Sequence, residues 1–146
     1  MFNRSMPPGT IIPELVYPDL AAAVAWLGTT FGFRERLRIS NHRSQIIVGA
    51  DAAMVVVQAT MPATRAAHPA QTHVLMVRVE DVDRHYAHVA QCGAQIISPP
   101  TDFPYGERQY TVEDLAGRRW TFTQSIADVD PQDWGGTLIE RADDTA

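Results

Sequence analysis

The chain has a single cysteine, Cys92, in 146 residues. One thiol forms no internal disulfide, and a domain of this length needs none to hold a core. Such cysteine usage fits a reducing cytoplasm. Positive charge is also short. Twelve Lys and Arg stand against seventeen Asp and Glu, leaving a net charge of −5. That balance argues against a nucleic-acid partner, whose footprint would be basic. No apolar run reaches the roughly 18 residues of a membrane-spanning helix. Residues 1–10 hold one Arg and no apolar h-region, so they do not read as a signal peptide. There is no phosphate loop, no dinucleotide fingerprint, no Gly-x-Ser-x-Gly elbow and no cysteine pair for zinc. What is present is an ordinary globular balance, with 45% hydrophobic and 20% charged residues.

The informative feature is an internal duplication. Asp19 and Asp81 each follow a β-prone run, at residues 11–17 and 73–79, and each is a residue type suited to cap a helix. After them come apolar residues at helical spacing: Leu20, Val24, Leu27 and Phe31 in the first copy, Val82, Tyr86, Val89 and Ala90 in the second. Each stretch stops at a glycine, Gly32 or Gly93, the residue best suited to a left-handed helix terminus. The offset is 62 residues at the aspartates and 61 at the glycines, so one residue differs between them. Three strand-like stretches then follow each helix. They are residues 34–40, 44–49 and 53–59 in the first half, and 94–98, 108–113 and 119–124 in the second. Turn chemistry separates them, at Asn41 to Arg43, at Asp51 and at Asp114 to Gly117. The last strands align as Met54 to Gln58 against Trp120 to Gln124. Each half therefore reads β-α-β-β-β. The expected organisation is one domain over 1–146, with modules at 11–60 and 73–125, a linker at 61–72 rich in Ala and Pro, and a tail at 126–146.

The segments Pro13-Glu-Leu-Val-Tyr-Pro-Asp19, Trp26-Leu with Phe31-Gly-Phe33, Val79-Glu-Asp-Val-Asp83, Cys92-Gly-Ala94, Pro104-Tyr-Gly-Glu-Arg108 and Asp114 to Trp120 come in an order that resembles the vicinal-oxygen-chelate superfamily. That superfamily includes glyoxalase I, bleomycin-resistance proteins and extradiol dioxygenases. The likeness covers about residues 11–125. The Tyr-Gly-Glu-Arg segment, Gln124 and the Trp134-Gly-Gly136 tail look like its bleomycin-resistance side. The resemblance implies an α+β fold: two βαβββ modules form curved mixed sheets around a cavity, with the helices outside. It leaves open whether the modules pair within one chain or across a dimer.

In metal-dependent members of the superfamily, His, Gln and Glu on the first and last strands of each module hold one divalent ion. The resemblance maps those positions here onto Ile12, Val55, Val74 and Thr121. Only Thr offers an oxygen, and neutral Thr is a poor ligand for Zn, Ni or Fe. The expectation is no metal and no cofactor. His73 lies one residue off this register, which in a strand turns a side chain to the other face. His85 and His88 lie on one helix and read as a solvated face.

Strand alternation then predicts the cavity lining. Ile12 and Val16 face inward, with Val55 and Val57 from the last strand of the module. Val74, Met76 and Arg78 do so in the second module, with Arg119, Thr121 and Thr123. Phe103 and Tyr105, in the loop 102–108, are either stacking surfaces at the mouth or the seal of a rigid turn. Such a lining favours a small hydrophobic or aromatic ligand. Glu14 shares the inward parity, and as a buried carboxylate it would be the general base of an enzymatic alternative, with Arg78 or Arg119 stabilising an oxyanion. Cys92, at the negative end of a helix, is disfavoured as a nucleophile. The expected protein is a cytoplasmic homodimer that sequesters a small apolar molecule, with an antibiotic as one candidate. The alternative is a metal-independent isomerase, lyase or cyclase using Glu14.

Overall fold

A computed structural model describes residues 1–60 and 73–139. The expected linker at 61–72 and the end of the tail lie outside the described residues. In the first module β1 (Glu14–Tyr17) leads to α1 (Leu20–Trp26) and a π-helical turn (Leu27–Phe31), then to β2 (Arg34–Ile39), β3 (Arg43–Val48) and β4 (Ala52–Gln58). In the second, β5 (Leu75–Arg78) leads to α2 (Val82–Gln91), β6 (Gln95–Phe103), β7 (Glu107–Glu113) and β8 (Arg119–Ser125). The sheets have the same order, β1-β4-β3-β2 and β5-β8-β7-β6. In each, the first and last strands run parallel and the other pairs antiparallel. The fold is α+β, two βαβββ modules with mixed sheets.

The duplication extends to single hydrogen bonds. The Asp19 carboxylate accepts from the Ala22 amide at 3.1 Å, and the Asp81 carboxylate from the Arg84 amide at 3.0 Å. These are side-chain N-caps that satisfy otherwise orphaned donors. A second acceptor reaches each helix start from the last strand. The Leu20 amide donates to Gln58 at 2.8 Å, and the Val82 amide to Gln124 at 2.9 Å. Both helical segments close on a left-handed glycine, Gly32 and Gly93, each at φ 82°. The extra residue of the first copy falls in the helical segment, where the wider π-helical turn takes it up.

The edges differ from the sequence expectation in three places. β1 starts at Glu14 rather than at residue 11, because Pro13 has no N–H for the ladder and only its carbonyl joins, accepting from Val55 at 2.8 Å. β5 starts at Leu75, two residues later than expected. β6 runs to Phe103 instead of ending at 98, crossing Pro99 and Pro100 through register shifts. An edge strand tolerates these prolines because it leaves one side unpaired.

Burial separates the two faces of each sheet. Leu15, Tyr17, Met54 and Val56 pack under α1, and Val112, Trp120 and Phe122 under α2, in one continuous core. The modules thus meet through their helix-covered faces. Phe31 sits at the junction, with its ring 4.8–5.5 Å from those of Trp26, Phe33, Trp120 and Phe122. The opposite face of each sheet points away from this core and carries Val16 and Met76, 54% and 59% exposed.

Candidate functional site

The open face of the second module is where predicted residues converge. Parallel pairing places Met76 beside Thr121 and Arg78 beside Thr123. A pocket of about 360 Å³ there is lined by Met76, Arg78, Tyr105, Glu107 and Thr123 among others. A hydrogen-bonded polar set lies on the same sheet face, and of its members Glu107 and Thr123 line the pocket. The Thr123 hydroxyl donates to Glu107 at 2.6 Å, the Gln109 amide donates to Glu107 at 3.3 Å, and the Thr111 and Thr121 hydroxyls bond at 3.0 Å. Glu107 and Gln109 were missed by the sequence reading. Pairing of β7 with β8 puts them on this face, and that register is invisible until the turn between the strands is fixed.

The turn between β6 and β7 supplies the wall. Gly106 adopts φ 83°, and a Cβ there would stand 2.1 Å from the Ala127 carbonyl oxygen. That oxygen blocks any side chain, while the Gly106 carbonyl accepts from Ile126 at 2.8 Å. The segment is therefore a rigid hairpin turn, not a long mouth loop. Phe103 and Tyr105 stack with centroids 5.3 Å apart and planes 16° apart. Trp134, from a short 3-10 turn (Pro131–Trp134), packs edge-on against Tyr105 at 5.5 Å. The tail tryptophan thus rests on its own second module.

Other expected lining residues are dispersed. Val74 is exposed just ahead of β5, and Ile12 lies half-buried ahead of β1. Arg119 is half-buried and reaches Glu113 at 3.8 Å. Glu14 has the expected parity, beside Val55, but it is exposed and accepts from Arg43 at 2.8 Å. Val16 is open, Val57 half-buried and Val55 almost fully buried.

His85 corrects the expectation of a solvated helix face. It is half-buried where α2 meets the first module. Its Nε2 lies 3.1 Å from the Phe31 carbonyl and its Nδ1 2.5 Å from the Tyr110 hydroxyl. A carbonyl only accepts, so Nε2 carries the proton and Nδ1 accepts from Tyr110. Burial is the main cause that lowers the His85 pKa below its ordinary 6.5. His88 lies 2.9 Å from the Thr29 carbonyl, so both imidazoles satisfy carbonyls left over at the end of the first helical segment. His73 accepts from Arg118 at 3.0 Å. Beside this junction lies a larger cleft of about 830 Å³, lined in part by Phe31, Gly49, Met76, Arg78 and His85. Met76 and Arg78 border both hollows.

The positions mapped for a divalent ion do not fit one. Ile12, Val55 and Val74 offer no donor, and the Thr121 hydroxyl is already bonded to Thr111. Among the described residues no three His, Cys, Asp or Glu side chains group as a metal site.

This fold, with its paired modules and open sheet faces, defines a class. The chain belongs to the Glyoxalase/Bleomycin resistance protein/Dioxygenase superfamily, whose family model matches residues 11–122. No curated protein matches it. Among solved structures it is similar to TioX from Micromonospora sp. ML1, with 35% identity, a TM-score of 0.67, and coverage of 81% of this chain and 99% of that one. A superfamily protein from Nocardioides aligns at 20% identity and TM-score 0.66, covering 91% and 92% of the two chains. A domain from Frankia sp. EAN1pec aligns at 16% identity and TM-score 0.67, covering 82% and 99%. The last two likenesses speak for the fold alone.

Proposed function

We propose that this protein binds and sequesters a small hydrophobic or aromatic molecule, without a metal ion, as a cytoplasmic homodimer. The observation that carries the reading is the pocket on the second open face, where Met76, Arg78, Tyr105 and Thr123 converge. Met76 gives an adaptable apolar surface, Tyr105, backed by Phe103, a flat one, and the Thr123–Glu107 pair a fixed acceptor. Pockets of this kind hold ligands through apolar area and orient them through a few polar groups. Drug sequestration belongs to the proposal, since bleomycin resistance is part of the family's description. No helix among the described residues is long and apolar enough to cross a membrane. The enzymatic alternative asks Glu14 to be a buried base, and its exposed ion pair with Arg43 does not support that.

Trp134 packs against Tyr105 and so reports on the pocket. Titration with a panel of aromatic natural products should quench tryptophan fluorescence. Trp134→Phe should lose most of that signal, and Met76→Ala should weaken binding about tenfold, the cost of about 1.4 kcal/mol of apolar contact. Absence of quenching across the panel would sink the reading.

A further inference from the structure

The two open faces are not equally open. Ala53 and Val55 are each 4% exposed, Gln45 5% and Ile47 8%, yet none of them belongs to the core under the helices. By strand pairing, Val55 and Gln45 lie on the same face as exposed Glu14. The residue at the Val55 position of the second module, Thr121, is only half-buried, and its parallel neighbour Met76 is open.

The N-terminal segment is bonded to this face at Gln45, the cross-strand neighbour of Val55. The Gln45 side-chain amide donates to the Ser5 carbonyl at 2.8 Å. Arg36 donates to the Arg4 carbonyl at 2.6 Å and to the Gln45 side chain. Pro7 is buried, although residues 1–6 and 8–11 are exposed. Asn3 ties the segment into a turn, accepting from Ser5 at 2.9 Å and from Met6 at 3.1 Å. Gly9, at φ 107°, allows the chain to swing from this face into β1.

The anchoring is specific to the first module. Arg36 is the extra residue of a bulge in β2, which aims its side chain off the regular register. The repeat has a bulge at the same place in β6, where Ile97 stands and offers no donor. Gln45 pairs with Val55, and the residue paired with Thr121 is Thr111, whose hydroxyl is spent on Thr121. The grip is also slight. One buried proline and two hydrogen bonds from side chains to backbone hold a segment that is otherwise exposed, and ordering such a segment costs entropy at every residue.

We propose that residues 3–7 are a displaceable strap, a piece of the chain that occupies the first module's open face in the place a ligand would take. A bound apolar molecule and the strap then exclude one another. In its ligand arm the proposal rests on the binding role proposed above.

The test uses the full chain with Cys92→Ser and Val55→Cys, and the same chain lacking residues 1–8. The first readout is the rate at which a small disulfide reagent labels Val55→Cys. The strap predicts labelling about tenfold faster after the deletion, the ratio expected if the face is open about one tenth of the time. Gln45→Ala, which loses the bonds to the Ser5 carbonyl and to Arg36 but keeps the segment and the Arg36–Arg4 bond, should give a smaller acceleration in a chain whose circular dichroism is unchanged. Equal rates in all three proteins overturn the strap. The second readout is affinity for anilinonaphthalene sulfonate, an apolar aromatic dye. A strap that competes with it predicts tighter dye binding after the deletion. Faster labelling with equal dye affinity overturns the competition. Faster labelling with no dye bound by either form leaves the strap standing and overturns the binding role.

Discussion

At the scale of single residues, Asp114 does the most to tie the modules together. It sits at the β7–β8 turn, 6% exposed, and accepts from four donors. These are the Tyr17 hydroxyl at 2.6 Å, the Trp120 indole at 3.0 Å, and the backbone amides of Ala116 and Arg118 at 2.9 and 3.0 Å. Tyr17 belongs to the other module, so one carboxylate joins a turn, a strand and a neighbouring sheet. Burial, with the charge and hydrogen bond of Asp114, holds the Tyr17 phenol well above its ordinary pKa, so it stays a donor. Arg118 completes the contact. It donates to the Val16 carbonyl at 3.1 Å and lies over the Tyr17 ring at 5.3 Å. Asp114→Ala leaves buried donors unpaired, each costing about 1–3 kcal/mol, and should destabilise the fold by about 3 kcal/mol or more. Tyr17→Phe removes one donor and should cost about 1 kcal/mol. Urea unfolding of both variants checks the contrast. Equal losses would mean that the remaining three bonds contribute nothing.

At the scale of elements, the sequence shows local physics and hides tertiary physics. Asp19, Asp81, Gly32 and Gly93 act within one turn of their own backbone, so helix ends were legible from residue type and spacing. The alignment of Gln58 with Gln124 was visible as well, but its meaning was not, because each reaches a helix start thirty-eight or forty-two residues away. His85 failed for the same reason. Its face of α2 looks polar by composition, yet the first module docks against it and supplies the Phe31 carbonyl. The candidate site divides likewise. Strand alternation places Met76, Arg78 and Thr123 on one face, whereas Glu107 needed the β7–β8 register, and nothing in its own strand foreshadows the burial of Val55. His85 also makes α2 a pH-sensitive element. Its folded pKa is depressed, so the fold prefers neutral imidazole and the unfolded chain binds a proton first as pH falls. The stabilisation is complete above the ordinary pKa of 6.5 and is lost as pH drops below it toward the folded value. Denaturant midpoints at pH 7.5 and 5.5 should therefore fall with acidity in the parent protein. His85→Gln, neutral throughout, should be less stable at pH 7.5 but should lose less between the two values. An identical pH slope in both proteins would remove His85 from the account.

At the scale of the whole molecule, the two modules turn their helix-covered faces to each other, so a single chain does not close one sheet over the other. The open faces look outward, and the second presents Val74 and Met76 at 48% and 59% exposure. Apolar surface of that kind on a sheet is a usual mark of an interaction site. In the proposed homodimer, the second module of one protomer faces the first module of its partner. The cavity then has one wall rich in Thr and Met and, once residues 3–7 are displaced, another that carries Val16, Val55 and Val57. A stable interface of this sort buries about 800 Å² on each partner, and a charge at its apolar centre is costly. Met76→Asp should therefore shift the protein from dimer to monomer in sedimentation velocity at micromolar concentration. The helix-side core that holds Trp120 and Phe122 is remote from that face and should keep its near-ultraviolet circular dichroism. Thr111→Val, which only breaks the Thr111–Thr121 bond beside Met76, should leave the dimer intact. A parent protein that sediments as a monomer across the same range would remove the dimer. It would also mean that each open face meets its ligand alone.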